Sequence, residues 1–175
     1  MGFVMQINVL DPEQAGAVMD DLTALLMDAV NNGASVGFLP PLGREESCAY
    51  WQSVIPSLQD KTRLLLAAQA DGVVVGVVQL GLEGRANGNH RAEVMKLLVH
   101  TAHRKHGIGR ALMTALEDHA RRIGRTTLVL DTRAGDPSQR LYESLGYVLA
   151  GVIPQYARSA DGSLHSTAFL YKILG

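Results

Sequence analysis

The chain has one cysteine, Cys48, in 175 residues. A disulfide within the chain is excluded, as is a thiol cluster able to hold zinc, and a reducing cytoplasm fits. Charge of either sign is not in excess. Sixteen Lys and Arg stand against 17 Asp and Glu, a formal net charge of -1, so no attraction to nucleic acid is expected. Long hydrophobic runs are missing as well. None is long enough to span a bilayer, so no membrane partner is expected. Residues 1–10 lack the basic start of a signal peptide, and Asp11-Pro12 interrupts them before an apolar run can form. The six histidines, His90, His100, His103, His106, His119 and His165, show no spacing of the H-E-x-x-H kind, and no metal is expected. There is no internal repeat and no low-complexity tract.

What remains is the profile of an ordinary globular protein, 47% hydrophobic and 19% charged. Its length suits one sizeable core, so a single domain over residues 1–175 is expected. Residues Phe3 to Leu10 alternate as an opening strand, and Asp11-Pro12 starts a helix that runs to about Asn32, where Asn31-Asn32-Gly33 ends it. The Gly- and Pro-rich residues 33–43 read as an ordered loop before a second helix near Glu45 to Leu58, bent or ended around Pro56. Strands at Thr62 to Ala70 and Val73 to Leu82 flank Asp71-Gly72, a two-residue hairpin signal. Arg91 to His100 is apolar on both faces, as in a strand covered on both sides.

A helix from Ile108 to Ile123, a strand from Thr126 to Asp131 and a helix from Pro137 to Leu145 come next, the last capped by Asp136. Tyr147 to Ile153 and Thr167 to Ile173 form a closing hairpin around Asp161-Gly162. Crossovers in the middle and hairpins at both ends predict an α/β chain, a mixed sheet flanked by about four helices.

The turn His103 to Met113, HRKHGIGRALM, lies between a central strand and an amphipathic helix. Helix-start amides and glycines make an anion site there, and Arg104, Lys105, His106 and Arg110 add positive charge. A dinucleotide turn is the rival reading, with Gly107 and Gly109 as its first two glycines and Asp131 about twenty residues on. Leu112 stands where the third glycine belongs, and the turn is long and basic rather than tight.

Arg104-Lys105-His106-Gly107-Ile108-Gly109 matches the R/Q-x-x-G-x-G/A signature of the GNAT acetyltransferases. Leu141-Tyr142 followed by Gly146-Tyr147 resembles that family's second motif, in the right order. The segments GASVGF, HRAEVMKL, LDTRAG and DGSLHSTA extend the likeness to the tabtoxin-resistance branch. The resemblance implies a mostly antiparallel seven-stranded mixed sheet with a central parallel pair, and acetyl-CoA as co-substrate. Amides from His106 to Arg110, through Gly107, Ile108 and Gly109, would hold the CoA pyrophosphate. Main-chain groups of Leu97, Leu98 and Val99 would pair with the pantetheine arm. In the second motif's helix, Gly135 and Ser138 stand where the family usually has Asn and Ala, which leaves Ser138 as a cofactor contact.

Acetyl transfer requires a neutral amine, whereas an aliphatic amine, with a pKa near ~10.4, is protonated at neutral pH. Glu93 is the leading base, since it is expected on the same alternating face as Met95, Leu97 and Val99, where it would be desolvated. Otherwise it is a buried structural partner of Arg91 or another cation. Asp131 is a second base or amine anchor, or else a turn cap. Tyr142, carried over from the family motif, is the acid that protonates the leaving thiolate, or else a core tyrosine. A route through Cys48 lacks an obvious basic partner.

Residues 33–43 and the last hairpin are candidate acceptor walls, with Ser35, Phe38, Trp51, Tyr156 and Asp161 named, although Phe38 and Trp51 equally suit the core. The function expected is N-acetylation of a small-molecule amine, an antibiotic or toxin such as a β-lactam-type amino acid, by a monomer or homodimer. Protein lysine or N-terminal acetylation and a non-catalytic acyl-CoA sensor are the alternatives.

Overall fold

The computed structural model describes residues 5–175. Seven strands form one sheet in the order β1-β2-β3-β4-β5-β7-β6. They are β1 (Met5–Val9), β2 (Arg63–Ala70), β3 (Val73–Leu82), β4 (Arg91–Val99), β5 (Thr127–Arg133), β6 (Val148–Arg158) and β7 (Leu164–Ile173). The helices are α1 (Pro12–Ala17), α2 (Met19–Asn31), α3 (Arg44–Gln59), α4 (Ile108–Arg122) and α5 (Pro137–Ser144), with a short 3-10 turn at Thr101–His103. Phe3 and Val4, expected to open the first strand, lie outside the described residues.

Five α-helices replace the four expected, because the first breaks at Val18 (φ -106°, ψ 21°). Gly16 and Val18 are both weak helix formers at that point. The start is as expected: Asp11 accepts from the Gln14 amide at 2.8 Å while the Gln14 side chain accepts from the Asp11 amide at 3.0 Å. Helix α3 runs through Pro56 and ends three residues beyond it. Asp136 precedes α5 with extended backbone but makes no side-chain cap. The Gly135 amide turns instead to Gln139 Oε1 at 2.8 Å.

Two cores sandwich the sheet. On one face α1, α2 and α3 bury Leu22, Leu25, Leu26, Trp51 and Val54 against Leu65, Val77 and Leu98. On the other, Ile108, Leu112, Met113 and Leu116 of α4 and Tyr142 of α5 pack on Leu80, Val94, Leu128 and Leu170. Each buried aliphatic side chain contributes about 1.5–3 kcal/mol, and their 3.6-residue spacing in α4 is why that segment is a helix.

The middle of the sheet positions the site. Strands β1 to β4 are joined by antiparallel pairing and so are β5, β7 and β6, whereas β4 and β5 run parallel. Their pairing covers only Arg91, Ala92 and Glu93 against Thr127, Leu128 and Val129. Beyond it, β4 follows β3 to Val99 and β5 follows β7 to Arg133, leaving a wedge between them. Such an arrangement, with one parallel pair in an otherwise antiparallel sheet, is not the doubly wound parallel sheet of a dinucleotide-binding fold.

Candidate active site

The wedge opens at a bulge. Met95 pairs with Gln79 and Leu98 with Val77, so Lys96 and Leu97 together oppose Val78, and Lys96 takes the left-handed conformation (φ 51°). An inserted residue bends a strand and increases its local twist. It also reverses the facing of the residues beyond it. Ala92 and Val94 before the bulge, and Leu97 and Val99 after it, all pack on the α4 side. Glu93 and Met95 therefore face the α3 side, opposite Leu97 and Val99 and not with them as the sequence predicts. Glu93 is exposed rather than desolvated. Its expected partner Arg91 pairs with Glu83 Oε2 at 2.9 Å, and among the described residues Glu93 forms no ion pair.

At the far end of β4 the chain turns through Arg104, Lys105 and His106 into α4. Lys105 (φ 65°) and Gly107 (φ 79°) both take left-handed backbone, which costs a glycine nothing. Gly109 sits in a tight place: a Cβ there would come within 3.3 Å of Leu141 Cδ2 and 3.9 Å of Leu97 Cδ2 and Val99 Cγ2. The helix start thus lies directly over the end of β4 and against α5. No side chain caps it, leaving the amides of Ile108, Gly109 and Arg110 to an outside acceptor. Arg104, Lys105, His106, Gly107 and Arg110 are exposed around it.

These groups fit a pyrophosphate, because free helix-start amides and cations converge there. Two of the cations are engaged in place: Arg104 Nε donates to the Val99 carbonyl at 3.2 Å and Arg110 Nη2 to Ser144 Oγ at 2.7 Å. Asp28 at the end of α2 anchors the turn, accepting from the Thr101 amide at 2.8 Å and the Thr101 hydroxyl at 2.7 Å.

Tyr142 of α5 and Asp131 of β5 lie near enough for the charge of one to act on the other. Tyr142 is 7% exposed and packs edge-on against Tyr147 at 5.8 Å. Its phenol pKa is raised well above the ordinary value, by burial first and then by the Asp131 charge. The hydroxyl has no hydrogen-bond partner among the described residues. Asp131 is exposed as a residue, yet desolvation of its carboxyl at the wedge raises its pKa, with the Lys96 charge and its own amide opposing. It caps no turn through its side chain. Ser138 Oγ lies 2.6 Å from Thr132 Oγ1, which ties the start of α5 to β5.

The acceptor candidates divide. Ser35 and Phe38 line a cleft of about 390 Å³ between residues 33–40 and the β6-β7 turn, with Arg133, Arg158, Asp161 and His165 opposite. Ser35 Oγ meets His165 Nε2 at 3.4 Å. Asp161 is spent on the turn, accepting from the Ser163 amide at 2.9 Å and hydroxyl at 2.6 Å. Tyr156 does not line the cleft; it stands exposed against Phe169, rings 5.5 Å apart. Trp51 is 1% exposed and belongs to the core, because its indole fills the space between α3 and the sheet. Cys48 lies on α3.

Sequence reasoning missed Lys96 and the residues beneath it. Its ammonium stands 5.4 Å over the Tyr50 ring, and Gln79, fully buried, donates to the Tyr50 hydroxyl at 3.0 Å and accepts from Arg63 Nη1 at 2.8 Å. The available signal was a single charge within the apolar run VMKLLV. The Asp28–Thr101 contact had none, since 73 residues separate the pair.

Among the described residues no cluster of His, Cys, Asp or Glu could hold a metal ion, and no helix is long and apolar enough to cross a membrane. The acetyltransferase (GNAT) family model matches residues 25–147, and the chain belongs to that family of acyltransferases. An N-acetyltransferase encoded in the hisH-hisA intergenic region of Azospirillum brasilense is 34% identical over 66% of this chain and 68% of its own length. The L-methionine sulfoximine/L-methionine sulfone acetyltransferase of Salmonella typhimurium is 32% identical over 52% of this chain and 54% of its own. Among solved structures, an acetyltransferase of Salmonella typhimurium with its cofactor acetyl-CoA superposes with a TM-score of 0.78 at 25% identity, covering 98% of this chain and 95% of that one.

Proposed function

We propose that the protein moves an acetyl group from acetyl-CoA directly to the primary amine of a small, amino-acid-like molecule, both bound at once. Acetyl-CoA supplies an activated thioester carbonyl and a thiol leaving group. The amides of Ile108, Gly109 and Arg110, with Arg104, Lys105 and Arg110, receive the pyrophosphate. The inner edge of β4 at Leu97, Leu98 and Val99 receives the extended arm, which requires Arg104 to release the Val99 carbonyl.

Asp131 takes the proton that keeps the acceptor nitrogen unreactive, and Tyr142 gives its hydroxyl proton to the sulfur as the N–C bond forms and the C–S bond breaks. Two protons leave the nitrogen through Asp131 and Glu93. One restores Tyr142 and the other goes to solvent. Asp131 is assigned the first proton, because desolvation raises its proton affinity above the ordinary Asp value.

The observation that carries this reading is the wedge where β4 and β5 part, with the uncapped start of α4 at one end and Asp131 near enough to the buried Tyr142 for its charge to act on the phenol. The cleft of about 390 Å³, which β5 reaches through Arg133, two residues past Asp131, has the size of a small-molecule site. The test is CoA-thiol release across a panel of small amines with Y142F, D131N and E93Q beside the parent. Turnover of a small amine that collapses in the folded Tyr142 and Asp131 variants is expected. Parallel double-reciprocal lines would replace direct transfer with a covalent acetyl-enzyme; turnover of peptides alone would point to protein acetylation, and CoA binding without thiol release to a sensor.

A further inference from the structure

We propose that Lys96 recognises a carboxylate on the acceptor, making the preferred substrate a free amino acid or close analogue rather than a simple amine. The inference deepens the reading above and rests on it for the position of the acceptor amine.

Three observations converge on this side chain. The bulge gives Lys96 a backbone conformation rarely adopted by residues with a Cβ, at φ 51°. Its ammonium is half-buried and makes no hydrogen bond or ion pair among the described residues, resting only on the Tyr50 ring. Three N–H donors are thus left without an acceptor in a place poor in water. Below it the ring is immobilised: its hydroxyl is taken by Gln79, and Phe38 and Trp51 pack edge-on at 5.4 and 5.1 Å. Above it the loop backbone closes in, since a Cβ on Gly37 would lie 3.9 Å from Lys96 Nζ.

The charges around this ammonium form a pattern. Burial and the nearby Arg63 disfavour its protonated form, while Asp131 and Glu93 favour it from beyond contact distance. Two carboxylates therefore face the wedge with a cation set apart from them, between the wedge and the loop that carries Phe38 to the cleft. An α-amino acid has the complementary layout, an ammonium for Asp131 and Glu93 and a carboxylate for Lys96. A simple amine would satisfy only the first half and leave the lysine unpaired, which is costly in a desolvated site.

The experiment compares amino acids with their decarboxylated counterparts, L-methionine sulfone with 3-(methylsulfonyl)propylamine and L-phenylalanine with phenethylamine. The parent, K96M and K96R are assayed by CoA-thiol release. Binding of each compound to the CoA-loaded protein is followed by saturation-transfer NMR, and thermal unfolding verifies the folds. The parent is expected to prefer the amino acids. K96M should raise KM for them by about tenfold or more, with little change in KM for the decarboxylated amines, and K96R should restore much of the preference.

An equal fall in kcat on both members of each pair, with a shifted pH profile, would overturn the proposal and make Lys96 a positioning residue for Asp131. A parent with no preference in turnover or binding would also overturn it. Amino-acid binding that is lost in K96M while no amine is acetylated would sink the proposed reaction and leave the role of Lys96 standing.

Discussion

The two halves of the sheet are built to different standards. Strand β3 is buried from Val74 to Leu80 between two helical layers, whereas every residue of β6 but Ala157 is exposed. Val148, Leu149, Val152, Ile153 and Tyr156 all show solvent about half their surface. The buried half ends in the β4 turn and the uncapped start of α4, where free amides are held in fixed positions. The open half carries the β6-β7 turn, one wall of the cleft lined by Ser35 and Phe38. On the proposed reading, the close-packed half would hold the cofactor and the thinly covered half would border the acceptor.

The sharpest test of that division lies at the joint between the halves. D131N should lower kcat/KM by about 10²–10⁴ yet leave the fold intact, seen by steady-state kinetics and thermal unfolding. Its melting temperature should rise slightly. The folded-state pKa of Asp131 is raised, so the stability linked to its proton is present only at acid pH and is lost as pH rises through that value. At neutral pH the ionised carboxylate therefore costs the folded state, and asparagine removes the cost. The same shift predicts a fall in kcat/KM on the acid side, centred above the ordinary Asp value of 3.8, in a limb that D131N abolishes. Y142F should come next, with a loss of about 10²-fold in kcat and little change in either KM.

Glycines offer a stability comparison between the halves. A Cβ at Gly76 in β3 would meet Ile108 Cγ2 at 3.0 Å, the Leu98 carbonyl at 3.1 Å and Leu112 Cδ1 at 3.2 Å. G76A should cost about 1–3 kcal/mol by urea unfolding. At Gly151 in β6 nothing lies within 4 Å, and G151A should stay within about 0.5 kcal/mol. Equal costs would break the contrast. Smallest of all, S35A loses only a long contact of 3.4 Å to His165 and should change the acceptor KM by about threefold or less.

The sequence already carried the element order, because hydrophobic periodicity marks β2, β3 and α4, and Asp71-Gly72 and Gly107 mark their turns. It did not disclose the bulge. One inserted residue at Lys96 leaves the apolar run unchanged while moving Glu93 to the other face from Leu97, so alternation was followed one residue too far. The closing hairpin is longer than expected, to Arg158 and from Leu164, since an uncovered strand has no buried face to impose a period. Asp131 and Tyr142 were visible as residues, but their nearness depends on β4 and β5 parting, which is a property of pairing between strands and not of either segment alone.

The parting of β4 and β5 also bears on solubility. Unpaired strand edges invite other chains, and open sheets guard them with charge, twist or covering elements. Here the sheet has two interior borders besides its outer ones, along β4 from Val94 and along β5 from Leu130. They face each other across the wedge between two helical layers, so a neighbouring sheet cannot slide against them, while one slender extended molecule can enter. The fold thus leaves these borders open to a single extended chain and closed to a neighbouring sheet.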